Sequence, residues 1–217
     1  MSSELIVLLA TAASIGFVHT ILGPDHYLPF IVMAKARGWS ISKTSLITFF
    51  CGIGHILSSV ILGFVGIGLG IAVSKLEFIE ANRGELAAWL LIAFGFTYFA
   101  WGLHQALKSK AVAHNHLHSE KDKKNITPWI LFTIFVFGPC EPLIPILMYP
   151  AAKGSIWAVV AVAAVFGIVT ISTMLAVVLA VSFGLLRVPL GGLQRYSHAL
   201  AGLIIFASGG AIKFLGL

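Results

Sequence analysis

Six long apolar segments divide the 217-residue chain and constrain its fold more than any other feature. In chain order they cover residues 5–34, 43–73, 86–107, 128–151, 155–186 and 198–217. Each is long enough to cross the apolar core of a bilayer, which takes about 20 helical residues. Only 10% of the residues are charged, too few to cover a water-facing surface, so an ordinary soluble enzyme is excluded. We therefore predict an all-α membrane protein with six transmembrane helices.

Basic residues are distributed unevenly among the predicted loops. Ten of the fourteen lie in the first, third and fifth loops, whereas four lie on the other side: Lys75, Arg83, Lys153 and Lys213. The positive-inside rule then makes the odd loops cytoplasmic and places both termini outside. The only charge before the first apolar run is Glu4, so we expect no secretory signal. These features predict an integral protein of a prokaryotic-type inner membrane that binds no nucleic acid, since its basic residues lie in loops.

The chain also matches itself at an offset of 115 residues. Residues 23–33 align with residues 138–148 at five identical positions, which include a Gly-Pro pair in each segment. Two further matches follow in the same order, and together they indicate a duplication. Each half contains three helices, so the halves enter the membrane from opposite sides as an inverted repeat, an architecture of many secondary transporters. The predicted division is residues 1–107 as the first repeat, 108–127 as a His/Lys-rich cytoplasmic linker and 128–217 as the second repeat.

The two matched Gly-Pro pairs predict breaks in helices. Proline lacks an amide hydrogen and clashes with the preceding helical turn, while glycine permits a bend. We expect the first and fourth predicted helices to be discontinuous at Gly23-Pro24 and Gly138-Pro139. In inverted-repeat membrane proteins such broken helices meet near the midplane and form the binding site.

Only two acidic residues, Asp25 and Glu141, lie inside the predicted segments, each beside a Gly-Pro pair. An ionisable group at membrane depth costs roughly 3 kcal/mol on insertion scales, so it is a functional candidate. The alternative is structural: Asp25 would cap the amide groups freed at the break.

Histidine and cysteine residues accompany these acids. His19 and His26 are two helical turns apart, and Cys51 and His55 share a helical face at spacing i, i+4. Imidazole, thiolate and carboxylate groups bind divalent first-row transition metals. We predict a metal site formed by His19, Asp25, His26, His55, Cys140 and Glu141, with Cys51 as a possible further soft contributor. The alternative is that the histidines are hydrogen-bonded packing residues.

The segment from His19 to His26 resembles the His-x5-Asp-His signature of the HupE/UreJ nickel permeases. It is also similar to the signatures of the nickel/cobalt transporters and UreH-like membrane proteins. Residues 54–59 are similar to the second motif of the nickel/cobalt family. This resemblance implies metal-binding roles for His19, Asp25, His26 and His55, although Thr20 stands where those families have proline.

The second Gly-Pro segment, Gly138-Pro139-Cys140-Glu141-Pro142, resembles a different family. A Pro-Cys-x-Pro motif in two inverted halves is the mark of the CcdA/DsbD membrane thiol-electron carriers, in which one cysteine per half forms a disulfide. Here the counterpart of Cys140 is Asp25, and the other cysteine is Cys51 in the second segment. A bridge between them requires Cα atoms within about 7 Å. A third resemblance, to the TauE/SafE anion exporters, is weaker.

The leading hypothesis from the sequence is a secondary transporter for a divalent transition metal ion, nickel or cobalt, with no enzymatic activity and no organic cofactor. The alternative is a membrane thiol–disulfide electron carrier that uses Cys140 and Cys51. The expected partners are the lipid bilayer, the metal ion and either a soluble metal chaperone or a thioredoxin-like protein, and a homo-oligomer stays open. The alternating tract His114, His116 and His118 is either a transient metal site or a solvated linker.

Overall fold

The computed structural model describes residues 3–108, 126–187 and 191–215. Eight α-helices occur in these ranges: α1 (Ser3–Leu22), α2 (Leu28–Arg37), α3 (Ile41–Gly68), α4 (Val73–Lys108), α5 (Thr127–Phe137), α6 (Leu143–Ala152), α7 (Ile156–Arg187) and α8 (Ser197–Leu215). Short 3₁₀ helices at Pro24–His26 and Gly191–Tyr196 complete the described structure. The linker tract around His116 lies outside the described residues, as does most of the predicted linker, residues 108–127.

Five helical segments of the described chain are long and apolar enough to cross a membrane: Ser3–Leu22, Ile41–Gly68, Val73–Lys108, Ile156–Leu185 and Gly191–Leu215. The prediction of an all-α integral membrane protein is confirmed. The predicted segment 128–151 consists of two shorter apolar helices, α5 and α6. The six-span count therefore stays a prediction.

Helix α4 begins well before the predicted start at residue 86. Its first three turns contain several charged residues, which a hydropathy pattern assigns to a loop. They are compatible with a helix because Glu80 and Arg83, at spacing i, i+3, form an ion pair with a 2.6 Å separation. The charged turns therefore extend the apolar helix instead of ending it.

Short links outside α-helix separate α1 from α2 and α5 from α6, and the first of them contains the 3₁₀ turn Pro24–His26. We call residues 23–27 the first link and residues 138–142 the second link. Gly23 has φ −87° and ψ 96°, and Gly138 has φ −59° and ψ 133°. Both conformations are open to any residue. Glycine at position 23 is required by space, because an added Cβ would lie 2.5 Å from Nδ1 of His26, whereas at Gly138 the nearest atom would be 3.1 Å away.

Small residues allow α4 and α8 to pack with their backbones in close contact. Gly95 and Gly102 of α4 face Gly202 and the residues beside it on α8, and at each of these glycines an added Cβ would overlap the backbone of the facing helix. Close approach through small residues is the usual means of helix association in membranes, where apolar burial gives little driving force. This rigid pair forms one wall of the site described below.

Helix α3 packs against α5, α6 and α7 and contributes to two groups of buried apolar side chains. One group includes Phe30, Met174 and Cys51, and the other includes Phe166 and Cys140. The two thiols therefore lie in different parts of the core.

Candidate functional site

One buried side of α3 is directed toward both links. Cys51, His55 and Ser59 are spaced four residues apart, so they lie along a single face of the helix. Their exposed fractions are 1%, 3% and 0%. His55 contacts the first link through His26, and Ser59 contacts the second link through Cys140. This face of α3 thus connects the two links.

The first link is closed by its own hydrogen bonds. His26 is buried, and its Nδ1 lies 3.1 Å from the carbonyl oxygen of Gly23 and 3.1 Å from Oδ1 of Asp25. Both partners are acceptors, so Nδ1 carries the proton and donates it. The amide groups of His26 and Tyr27 donate to the carbonyls of Gly23 and Pro24. Nε2 of His26 is thereby directed away from the link.

Three imidazole rings form a continuous column between α1, the first link and α3. The ring centroids of His19 and His26 are 4.8 Å apart, and those of His26 and His55 are 5.1 Å apart, both edge-to-face. Nε2 of each ring is buried and has no hydrogen-bond partner among the described residues. Since buried polar atoms are normally paired, these three nitrogens are available to a hydrogen-bond donor or an ion.

The second link is held by side chains from other helices. Arg83 of α4 donates through Nη2 to the carbonyl of Val136 at 2.8 Å and to Oγ of Ser58 at 2.7 Å. A longer contact of 3.4 Å joins the same nitrogen to the carbonyl of Gly138. Arg83 therefore fastens the end of α5 and the start of the link to α4.

A second chain of hydrogen bonds reaches Cys140. Its amide donates to Oγ of Ser59 at 3.2 Å, and that hydroxyl donates to Oε2 of Glu80 at 3.3 Å. Glu80 is 1% exposed and is paired with Arg83, which is 18% exposed. The Glu80–Arg83 ion pair thus supports the second link in two places. Glu80 reaches Cys140 through Ser59, and Arg83 binds the carbonyl of Val136 just before the link.

The two thiols occupy different surroundings. Cys140 is fully buried, and a ligand atom of Cys140, one of His19 and one of His55 all lie within 4.8 Å of one another. Cys51 lies two helical turns from Ser59, about 12 Å along the axis of α3. Both cysteines are free. The two cysteines belong to different groups of buried apolar side chains, and a disulfide between them requires their Cα atoms within about 7 Å.

A cavity of about 550 Å³ opens beside the histidine column. Its wall includes His19, Asp25, His26 and His55 from the first half and Pro139 and Glu141 from the second link. Glu85 and Lys213, which are joined by a 2.6 Å ion pair, contribute from the packed helices α4 and α8. The cavity gives a small molecule or ion access to the histidine rings.

The structure brings most of the residues singled out in the sequence into one region. His19, His55 and Cys140 form the tightest group, His26 adjoins it, and Asp25 contacts His26. Two residues lie apart from this group: Glu141 is exposed at the cavity wall, and Cys51 is buried farther along α3.

Sequence analysis missed Glu80 and Arg83. The prediction that Asp25 and Glu141 are the only acidic residues inside helical segments is wrong, because Glu80 is buried within α4. The available signal was the i, i+3 spacing of opposite charges, which favours continuation of the helix. The charged composition of residues 75–85 outweighed that signal in the hydropathy pattern.

The fold and the site define an integral membrane protein with a buried thiol in a non-helical link beside a histidine column. The family model described as cytochrome C biogenesis protein transmembrane region matches residues 28–211. The match covers most of the chain, and the chain belongs to this family. No curated protein and no solved structure matches it.

The family match corrects the leading functional hypothesis. The prediction of a nickel or cobalt permease is wrong, because the family is that of the cytochrome c biogenesis membrane region, which agrees with the alternative of a thiol–disulfide carrier. The first segment of the nickel resemblance, from His19 to His26, lies before the matched region, whereas the second, residues 54–59, lies within it together with Cys51 and Cys140. Short polar motifs thus indicated a transport function that the family match does not support.

Proposed function

We propose that the protein is a membrane thiol–disulfide electron carrier in which Cys51 and Cys140 alternate between a dithiol and a disulfide. Membership in the cytochrome c biogenesis family supports this class. The observation that carries the proposal is the position of Cys140: it lies buried in the non-helical second link, against α3, the helix that bears the chain's other cysteine.

The exchange proceeds in two thiol–disulfide steps. The Cys140 thiolate attacks the disulfide of an oxidised thioredoxin-like partner, which forms a mixed disulfide and releases one partner thiolate. The Cys51 thiolate then attacks the sulfur of Cys140, which forms the Cys51–Cys140 disulfide and releases the partner as a dithiol. Two electrons pass to the partner, and a reduced thioredoxin-like protein on the other side of the membrane restores the dithiol by the reverse steps.

A histidine beside the nucleophile is available for the first proton transfer. The thiolate, not the thiol, is the attacking species, and an adjacent imidazole is the usual base for a catalytic cysteine. His55 has a ring nitrogen within 4.8 Å of Cys140 and an unpartnered, buried Nε2. In this proposal His55 accepts the proton of Cys140 as the partner disulfide approaches.

The second step requires a movement of the second link. Cys140 contacts Ser59 and lies near His55, and in this proposal it moves along α3 toward Cys51 until the two Cα atoms are within about 7 Å. One-turn displacements of packed elements are a known mode of switching. Residues 138–142 lie outside regular helix, and the side chains that bind them from other helices, Ser59 and Arg83, must release their hydrogen bonds for the link to move.

The finer architecture of the carrier is an inverted repeat. In this proposal residues 1–107 and 128–217 are two three-span halves, their helices broken at Gly23-Pro24 and Gly138-Pro139, and both termini lie outside. The alignment at an offset of 115 residues and the helix pairs α1/α2 and α5/α6, each interrupted at a Gly-Pro pair, support the relation. Rocking of one half against the other would expose Cys140 to each side in turn.

Electron transfer across liposomes tests this function. Reduced thioredoxin is enclosed inside vesicles that contain the protein, and the reduction of an oxidised thioredoxin-like protein outside is followed. We expect the wild-type protein to transfer electrons and Cys51→Ser and Cys140→Ser each to fall to the rate of protein-free vesicles. Transfer at the wild-type rate in either variant would overturn the proposal.

A further inference from the structure

We propose that His19, His55 and Cys140 bind a zinc-like divalent ion in the reduced protein and that the bound ion withholds Cys140 from thiol exchange. This inference rests on the proposed role of Cys140 as the exchanging thiol. The ion is held as a regulator of the thiol and is not carried across the membrane.

The three residues have the spacing of a metal site. One ligand atom from each lies within 4.8 Å of the other two. Donor atoms around a tetrahedral zinc ion lie about 3.5 Å apart, as follows from bonds of about 2.0–2.3 Å. The longest separation therefore has to shorten by a little over about 1 Å, through movement of three side chains that come from α1, α3 and the second link.

The buried histidine nitrogens give an independent indication of a ligand. His55 is 3% exposed, and its Nε2 has no hydrogen-bond partner among the described residues. His26, which contacts both ligand rings, is 2% exposed and also has an unpartnered Nε2. A buried ring nitrogen without a partner loses its hydration without compensation, and coordination to an ion removes that cost.

The donor set selects the class of ion. Two imidazoles and one thiolate suit zinc and other borderline-soft first-row metals, and they exclude magnesium and calcium, which require oxygen ligands. Three protein ligands leave a fourth position open to water or to His26, whose ring lies 4.8 Å from that of His19. The Cys140 thiolate and the half-buried Asp25 carboxylate beside His26 balance the charge of the ion.

Metal binding and thiol exchange compete for the same sulfur atom. A coordinated thiolate is not free to attack a disulfide, and a Cys140 that is already oxidised is not a thiolate ligand. Zinc therefore slows the carrier in its reduced form, and oxidation of Cys140 releases the zinc. Access for the ion is provided by the cavity that His19 and His55 line.

Zinc titration of the reduced, detergent-purified full chain, in competition with a chromophoric chelator, tests the site. We expect one zinc per chain, with the affinity lowered at least about 100-fold in Cys140→Ser and in His55→Gln. Cys51→Ser is the matched control, since it removes the other buried thiol of the same protein but none of the three ligands, and it keeps wild-type affinity. If His55→Gln does not fold, His19→Gln replaces it.

Cobalt binding and cysteine alkylation test whether Cys140 is a ligand of the bound metal. Cobalt bound by Cys140 gives a sulfur-to-metal charge-transfer band, which is absent in Cys140→Ser and present in Cys51→Ser. Saturating zinc slows the alkylation of Cys140 at least about tenfold. Equal zinc affinity in Cys140→Ser, or unchanged alkylation at saturation, overturns this inference. The liposome assay without added metal decides the carrier function separately.

Discussion

The two links begin with the same Gly-Pro pair, yet they are held in opposite ways. The first link is closed by its own atoms, through the hydrogen bonds of His26 to Gly23 and Asp25. The second link depends on side chains of other helices, chiefly Arg83 and Ser59. A segment fastened from outside is released when its partners move, whereas a self-closed turn is not. This difference favours the second link as the element that moves in the proposed exchange, with the first link remaining in place.

The largest expected difference is in the rate of thiol exchange, between a variant of Cys140 and a variant of its counterpart in the repeat, Asp25. Cys140→Ser removes the attacking sulfur, and we expect the rate of thiol exchange with oxidised thioredoxin to fall at least about 100-fold. Asp25→Asn keeps a hydrogen-bond acceptor for Nδ1 of His26 and is expected to change the rate less than about fivefold. Stopped-flow measurement of partner reduction checks both. Equal losses in the two variants would remove the functional difference between the links.

The second-largest effect is expected on stability, when the residue that holds the second link, Arg83, is replaced. Arg83→Gln leaves Glu80 buried without its ion-pair partner, and we expect the free energy of unfolding to fall by about 2–3 kcal/mol, less than for a fully buried pair because Arg83 is partly exposed. Unfolding in detergent, followed by tryptophan fluorescence, measures this loss.

The control for Arg83→Gln is the double variant Glu80→Gln/Arg83→Gln. It removes the unpaired charge and is expected to recover more than half of the lost stability. No recovery would show that the hydrogen bonds of Arg83 to the backbone matter more than its charge. A wild-type stability in Arg83→Gln itself would contradict the account of how the second link is held.

Alanine at the two link glycines gives a smaller and unequal effect. In Gly23→Ala the added Cβ would lie 2.5 Å from Nδ1 of His26 and 2.9 Å from Asp25, so the ring must move. We expect a loss of about 1–3 kcal/mol. In Gly138→Ala the nearest atom is Nδ1 of His55 at 3.1 Å, and we expect a loss below about 1 kcal/mol. The same unfolding measurement compares them, and the reverse order would refute the view that the first link is the tighter one.

The smallest effect is expected outside both links. Lys153 and Glu4 form an exposed ion pair between the end of α6 and the start of α1. Exposed pairs contribute little to stability, so Lys153→Ala should leave the melting temperature unchanged within error. A clear decrease would mean that the α1–α6 contact, and not the Arg83 network alone, holds the second half in place.

Much of the fold follows from the sequence because its causes are local. Long apolar segments require membrane helices, and the ionisable side chains His19, Asp25 and His55 stand out within them. The early start of α4 does not follow from hydropathy, since it depends on pairing between Glu80 and Arg83. The separation of Cys51 from Cys140 depends on how α3 packs against the second link, which no spacing in the sequence reports.

The function was also only partly predictable from local sequence patterns. Residues 19–26 and 54–59 carry short patterns whose chemistry suits a metal, and together with the inverted repeat they suggested metal transport. The family match depends instead on residues 28–211 taken together. Short polar motifs identify reactive groups, whereas the use made of those groups depends on the whole chain.

Mapping of the disulfide state in the full-length protein tests the central claim most directly. The purified protein is equilibrated with oxidised or reduced thioredoxin, free thiols are alkylated, and peptides are identified by mass spectrometry. We predict that oxidation protects Cys51 and Cys140 together and yields one intramolecular Cys51–Cys140 peptide, which reduction removes. Full alkylation of both cysteines after oxidation, with no linked peptide, would contradict the account.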